Sequence, residues 1–356
     1  MKKIIIVAGL LLSLPGLSQT KVVKKNAVKA NDFGIVYSLP KTLLTVDAEV
    51  TKVSCKAGPY YQYAEKYLGV KDIVTEDRVY YELGKISLEN HGIPDKDATY
   101  MIQFKQKTVA PFAYLTEDGL LCSINAVYKP DSTSKKKEVS KLQPVTSSSD
   151  QASVYSEELL MAGSMAKQAE VAAKQIYRIR ESRLNILTGE VDNLPPDGDA
   201  MKIVIQQLEE QERILTELFT GIKTREVIHY AVDIEPTESL EKEVLFRFSK
   251  KLGIVDADDL GGAPVYLNLK ALEKQSQLDP KEAEKKEKSM KGIVYNVPGK
   301  AEVEILFDKK SLFKGDVMVT QFGYREELTP VMLEDKKAPV KVYFYPETGA
   351  IKQIIQ

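Results

Sequence analysis

Gly34-Ile35-Val36-Tyr37-Ser38-Leu39-Pro40 recurs near the far end of the chain as Gly292-Ile293-Val294-Tyr295-Asn296-Val297-Pro298, identical at five of seven positions. Apolar residues alternate after each copy. Leu44, Val46, Ala48 and Val50 follow the first, and Ala301, Val303, Ile305 and Phe307 the second. A period of two puts such side chains on one face of a strand. A second match lies further downstream: Tyr114-Leu115-Thr116-Glu117-Asp118-Gly119-Leu120-Leu121 resembles Phe344-Tyr345-Pro346-Glu347-Thr348-Gly349-Ala350-Ile351. Both read as hairpins turning at glycine. A duplicated β module, one copy at each end of the chain, accounts for both matches.

More strands lie between the copies. Ile228, Tyr230, Val232 and Ile234 share one face, as do Val244, Phe246 and Phe248, then Val265, Leu267 and Leu269. Turn residues separate these short runs, which points to antiparallel sheets. Strands do not alternate regularly with helices, which argues against a doubly wound sheet. Between Ala152 and Gly221 the period becomes helical. Ala162, Met165, Ala169, Ala172, Ile176 and Ile179 are spaced three and four apart, and Thr188-Gly189 stops the helix. A second helix follows Pro195-Pro196, capped by Asp197 or Asp199, with Met201, Val204, Leu208, Leu215 and Leu218 as its stripe. The lengths predict helices of about 50 Å and about 30 Å, folded back as a hairpin.

The expected fold is therefore α+β, with antiparallel β-rich modules at both ends and a central long helical hairpin. The expected segments are 19–129 (β-rich), 130–150 (a Ser- and Lys-rich linker), 151–222 (helical hairpin), 223–274 (central β segment), 275–291 (charged linker) and 292–356 (β-rich).

Residues 1–18 read as a signal peptide. Lys2 and Lys3 form the positive start, Ile4 to Leu14 the apolar stretch, and Gly16 and Ser18 the small residues before a cleavage point. The expectation is export to the periplasm or the periphery of the outer membrane, with no integral membrane segment after cleavage. The 356 residues carry 50 basic and 51 acidic groups, a net charge of −1, and 43% are hydrophobic. That balance provides packed cores and no long-range attraction to nucleic acid. The only cysteines are Cys55 and Cys122, 67 positions apart. Two readings stay open: a disulfide adding about 4 kcal/mol, or two separate buried thiols.

No motif for metal-dependent, nucleotide-dependent or triad chemistry is present, and the chain reads as non-catalytic, without a cofactor. His91 lies in a turn. His229 lies in a strand, on the face opposite Ile228 and Tyr230. Asp256, Asp258 and Asp259, just before Gly261-Gly262, are a candidate Ca²⁺ loop or a solvated turn. Tyr60, Tyr61 and Tyr63, with Tyr67, form either a glycan-stacking surface or a short helix packed on the sheet. The hairpin tip carries Glu190, Asp192, Asp197 and Asp199 with the apolar Leu194 among them, and reads as a docking element or as a capped turn.

Three runs carry a family resemblance: KAGPYYQYAEKYLGV from Lys56, ESRLNILTGEVDNLPPDGDAMK from Glu181 and FRFSKKLGIVDADDLGGAPVYL from Phe246. Together they resemble a domain of unknown function found in exported proteins of Bacteroidales-type Gram-negative bacteria. The resemblance implies a cell-envelope address and supplies no activity and no catalytic residues. The expected function is a binding or scaffolding protein of the envelope, its partner a protein or a glycan. The alternatives are a hydrolase acting on glycan or peptide, and a glycan-binding module using Tyr60 to Tyr67.

Overall fold

The computed structural model describes residues 21–24, 34–103, 113–129, 154–190, 198–272, 281, 285–286, 289–329 and 340–355. The signal segment and the 130–150 linker lie outside the described residues. The fold is α+β and rich in antiparallel sheet. The first sheet contains β1 (Lys21–Lys24), β2 (Gly34–Lys56), β3 (Arg78–Gln103) and β6 (Ile222–Ile234), in the order β1-β3-β2-β6. A small third sheet has the order β13-β12-β5-β4, from β4 (Ala113–Leu115), β5 (Leu121–Ile124), β12 (Lys341–Phe344) and β13 (Ile351–Ile355). The second sheet has the order β11-β10-β9-β7-β8. Its strands are β7 (Leu240–Ser249), β8 (Gly253–Val255), β9 (Ala263–Ala271), β10 (Ile293–Phe307) and β11 (Lys310–Leu328).

The alternation in β2 does what its period requires. Leu44, Val46, Ala48 and Val50 are buried, and they face Val265, Leu267 and Leu269 of β9 and Ala301, Val303 and Ile305 of β10 across a sandwich core. Phe246 and Phe248 of β7 complete that core. Tyr230, Val232 and Ile234 of β6 pack against it, whereas Ile228 on the same face is exposed. A second core closes one end of the sandwich, where Tyr37, Tyr100 and Ile102 meet Ile124, Ile293, Val342 and Phe344.

The pairing departs from the segments expected in the sequence. β6 falls within 223–274 but pairs with β2, not with β7. β12 falls within 292–356 but pairs with β5, through Ile124 opposite Val342 and Ser123 opposite Tyr343. The two ends of the chain therefore share a sheet. Of the charged stretch 275–291, Lys286 is described. It pairs with Glu326 at 2.8 Å and lies over the Tyr324 ring.

The two sequence matches coincide with two matched pieces of backbone. β2 and β10 each begin at the glycine-led motif, and each forms a long hairpin with the next strand. Added to Gly34, a Cβ would overlap the carbonyl oxygen of Ile102; added to Gly292, it would overlap that of Leu328. Both hairpins slip register at the proline end of the motif. Leu39 stands opposite residues 95–98, and Pro298 opposite residues 320–323. Just ahead of the slip, Ser38 N donates to Gly119 O at 2.9 Å and Asn296 N to Gly349 O at 3.2 Å. Gly119 and Gly349 both have positive φ, 83° and 70°, as the turns require.

The excursions clasp the neighbouring strand. Thr42 is fully buried. Its N–H donates to Thr320 Oγ1 at 2.9 Å and Gln321 Oε1 at 3.0 Å. Its carbonyl accepts from Gln321 Nε2 at 2.8 Å, and its hydroxyl oxygen accepts from Thr320 N at 3.0 Å.

Cys55 and Cys122 are both free and buried. Of the two open readings, two separate thiols is the one observed, because the residues pack in different places. Cys55 packs with Val53 and Val74. Cys122 lies in β5, its thiol 3.7 Å from the Leu120 carbonyl. Burial, followed by the Glu347 carboxylate, pushes the Cys122 thiol up to about 11, against a backbone hydrogen bond from Thr116 that lowers it.

Two outcomes follow. Thr42→Val keeps the shape but leaves Thr320 N–H without its acceptor, a loss of about 1–3 kcal/mol in urea unfolding. Thr45→Val, at an exposed bond to Asp233, should stay within about 0.5 kcal/mol. Equal losses at both positions would show that the clasp contributes no more than a surface contact. In the second, iodoacetamide at neutral pH leaves both thiols unmodified until denaturant is added, read by intact mass. Because the folded Cys122 value is raised, its contribution to stability is complete below the ordinary thiol range and is lost as the pH rises through about 11.

Candidate functional site

The helical part begins with α2 (Glu157–Met161) and continues through α3 (Met165–Thr188) and α4 (Gly198–Thr220). The single first helix expected from the Ala162–Ile179 spacing is two helices. Ala162 ends α2 in extended backbone, and Ser164 caps α3 by accepting from Lys167 N at 3.3 Å. The 24 residues of α3 span about 36 Å rather than 50 Å. Met165, expected on the buried stripe, is exposed.

α3 and α4 run antiparallel, as their cross-pairs require. Arg180 Nε donates to Glu212 Oε1 at 2.6 Å, and Arg183 lies 3.0 Å from Glu212 and 3.7 Å from Glu209. Arg213 on α4 is held by Glu210 and Glu217, whose carboxylates raise its already high pKa further, the Glu210 hydrogen bond being the largest cause. The seam consists of Ala169, Ala172, Ala173 and Ile176 against Ile214, Leu215 and Phe219. These alanines let the backbones approach.

The Tyr60 to Tyr67 stretch packs on this seam rather than on a sheet. Residues Tyr61–Tyr63 form a 3₁₀ turn that leads into α1 (Ala64–Leu68). Tyr60 is 8% exposed, and its ring lies 5.5 Å from that of Phe219. Its N–H closes the end of α4 by donating to Leu218 O at 2.8 Å. Tyr61 and Tyr63 are half-buried, and the Tyr63 and Tyr67 rings are tilted 34° to each other. Of the two readings, the packed short helix is the one observed: the leading ring is buried, and the Tyr63 and Tyr67 rings are not coplanar. The tyrosines anchor the helices to the end of β2.

Beyond that anchor the helix pair has no third layer among the described residues. Leu184 and Leu187 of α3 and Ile203 and Val204 of α4 are exposed at its outer end. Glu190 is exposed just past α3. Asp192, Leu194 and Asp197 lie outside the described residues. Asp199 sits in the first turn of α4, 3.1 Å from Lys202, where a carboxylate complements the helix dipole.

Asp256, Asp258 and Asp259 do not gather around a cation position, and of the two readings the loop has the form of the solvated turn. Asp259 Oδ1 accepts from Gly261 N at 2.8 Å, forming a local turn. The loop's carbonyls are taken by a side chain: Arg247 donates to Ala257 O at 2.7 Å and to Gly262 O at 3.2 Å. A guanidinium there occupies the space and opposes a cation. Among the described residues, no three His, Cys, Asp or Glu side chains converge as a metal site. His229 lies 3.0 Å from Asp47 on the exposed face of β6.

One cavity involves residues not singled out in the sequence. A space of about 460 Å³ opens at the motif end of β2, lined by Val36, Ser38, Lys96, Thr99, Asp118 and Gly119. Two of its walls are the motif strand and the Asp118-Gly119 turn, both recognised in the sequence only as repeated segments. The third wall is Lys96, in the excursion opposite Leu39, with Thr99, paired opposite Ser38, and no periodicity announces that excursion.

Among the described residues, no helix is long and apolar enough to cross a membrane. No curated protein and no solved structure matches the chain. The family profile described as Domain of unknown function (DUF4831) matches residues 33–352, from the glycine-led motif to the last hairpin. The chain belongs to that family.

Proposed function

We propose that the chain is an exported, non-catalytic binding or scaffolding protein of the cell envelope, and that it engages a protein partner through the outer end of its helix pair. One observation carries this reading. The inner half of the pair is buried against the tyrosines, whereas Leu184, Leu187 and Ile203 at the outer end are 58%, 61% and 59% exposed. Apolar residues grouped at the end of a stiff, charge-braced element are suited to a partner's groove. The signal-like segment at residues 1–18 supports the compartment. The two matched hairpin sets support an origin by duplication, which supplies the scaffold from which the pair projects.

The test is crosslinking in intact cells with Leu187→Asp combined with Ile203→Asp. Both positions are exposed, so the thermal midpoint should hold within a few degrees. Capture of the partner seen with the wild-type chain should fall by at least about tenfold, more than 1.4 kcal/mol of binding. Undiminished capture by the folded double variant would sink the reading.

A further inference from the structure

We infer that the cavity beside Val36 is a binding site for a small hydroxyl-bearing ligand, one hydroxyl of which joins the N–H and C=O of Val36. The second matched segment shows that arrangement in use. There the phenol of Tyr37 accepts from Val294 N at 3.0 Å and donates to Val294 O at 3.1 Å. One hydroxyl thus satisfies both peptide groups of a residue at the open edge of a strand.

Val36 is the counterpart of Val294, third in its motif. The direction of its peptide groups follows from its neighbour. Ser38 N donates to Gly119 O, and Ser38 bridges in parallel with Leu120, so its backbone faces away from β3. Residues two apart in an antiparallel ladder point the same way, and the register of residues 34–38 with β3 is unbroken. The N–H and C=O of Val36 therefore also face away from β3, toward the cavity that Val36 lines. Among the described residues nothing bonds to them. Tyr295, the counterpart of Tyr37, does not reach across to them as Tyr37 reaches Val294.

The side chains around the two junctions differ in the same sense. In the second, Asn296 is 5% exposed, and its amide donates to Pro40 O at 2.8 Å and Thr348 O at 3.0 Å. That fills the space. In the first, the counterpart is Ser38, whose hydroxyl, among the described residues, reaches only Thr99 Oγ1, at 3.0 Å. Opposite Asn296 stands Arg325; opposite Ser38 stands the shorter Thr99. Asp118 replaces Thr348 at the turn. Smaller residues and an unused peptide pair leave about 460 Å³, within the range of small-ligand pockets.

The exposed side chains Lys96 and Asp118 bring one charge of each sign, and neither forms an ion pair with another described residue. Such a rim does not select polyanions and suits a neutral or zwitterionic molecule. The shared chemistry is a hydroxyl on a compact ring, from a sugar or from a tyrosine side chain.

The experiment titrates the isotope-labelled full chain with N-acetylglucosamine and, separately, with N-acetyl-tyrosinamide, following backbone amide resonances. Saturable shifts at Val36, Ser38 and Gly119 are expected with at least one probe. Ser38→Asn copies the closed junction and should weaken that response at least tenfold while the fold is kept. A response to the sugar alone assigns a sugar hydroxyl, and one to the tyrosine derivative alone assigns a phenol; either supports the site. If Ser38→Asn does not fold, Asp118→Arg takes its place, because bulk at this exposed rim position should weaken the same shifts. Absence of saturable shifts with both probes overturns the inference, as does an undiminished response in the folded variant.

Discussion

The fold depends on how the open edge of one strand finds hydrogen-bond partners. β2 runs for 23 residues, but β6 accompanies it only from Leu44 to Lys56. Ahead of Leu44, every second residue turns its peptide groups away from β3, and among the described residues no strand of the same sheet receives them. Buried peptide groups left unpaired each cost as much as a lost hydrogen bond. The chain meets the demand one residue at a time: the Gly119 turn serves Ser38, Asn296 serves the Pro40 carbonyl, and Thr320 with Gln321 serves Thr42. Pro40 itself lowers the demand, since it has no N–H to satisfy. β10 has the same problem, because β9 covers only residues 301–307. Tyr37 and the Gly349 turn answer it there.

Three of these partnerships, Tyr37 with Val294, Asn296 with Pro40 and Thr320-Gln321 with Thr42, link opposite halves of the chain, which is why the halves cannot be separated as modules. Tyr37 reaches across to Val294, Asn296 reaches back to Pro40, and the third sheet joins β5 to β12. Each bond is modest, but together they bury polar groups in geometry that only one docking of the two hairpins provides. The other end of β2 is held differently. There Tyr60 closes the C-terminal end of α4 and packs on Phe219, fixing the helices without a sheet. The cavity and the helix pair thus sit at opposite ends of one strand, roughly 60 Å apart along its path. A ligand in one and a partner on the other would not compete for surface.

Much of this architecture was legible in the sequence, and the gaps have physical causes. The faces of β2, β9 and β10 followed from alternation, because a strand between solvent and core must alternate. Which strands are neighbours did not follow, since period two specifies a face and not a partner. The pairing of β6 with β2, which runs from Lys56 opposite Ile222 to Leu44 opposite Ile234, joins residues far apart in the chain and leaves no local trace. Ile228 kept the alternation yet stayed exposed, on the edge strand of its sheet. The helical stripe was right from Ala169 to Ile179 and wrong at Ala162 and Met165, where Gly163-Ser164 interrupts the helix. The aspartate loop looked like a cation site because Arg247, which occupies its carbonyls, lies ten positions before Ala257. The tyrosines were recognised as a cluster, and only the tertiary structure could say that α4 covers the first of them.

The cavity was illegible for a subtler reason. A repeat draws attention to what its copies share, here Gly, Ile, Val, Tyr and Pro, and these are the residues that build both hairpins. Function is better sought where the copies differ. Both motif strands face the same backbone demand, so their stability requirements are alike. The second meets its demand with Tyr37 and the Gly349 turn and closes over the buried carboxamide of Asn296. The first retains the strand, the turn and the excursion but substitutes Ser38 and Thr99, and leaves the peptide of Val36 open to a cavity. A larger residue at Ser38 would fill that space, as Asn296 does in its own junction, so packing alone does not account for the opening. The difference between Ser38 and Asn296 therefore separates the part of the repeat that maintains the fold from the part that is free to recognise something else.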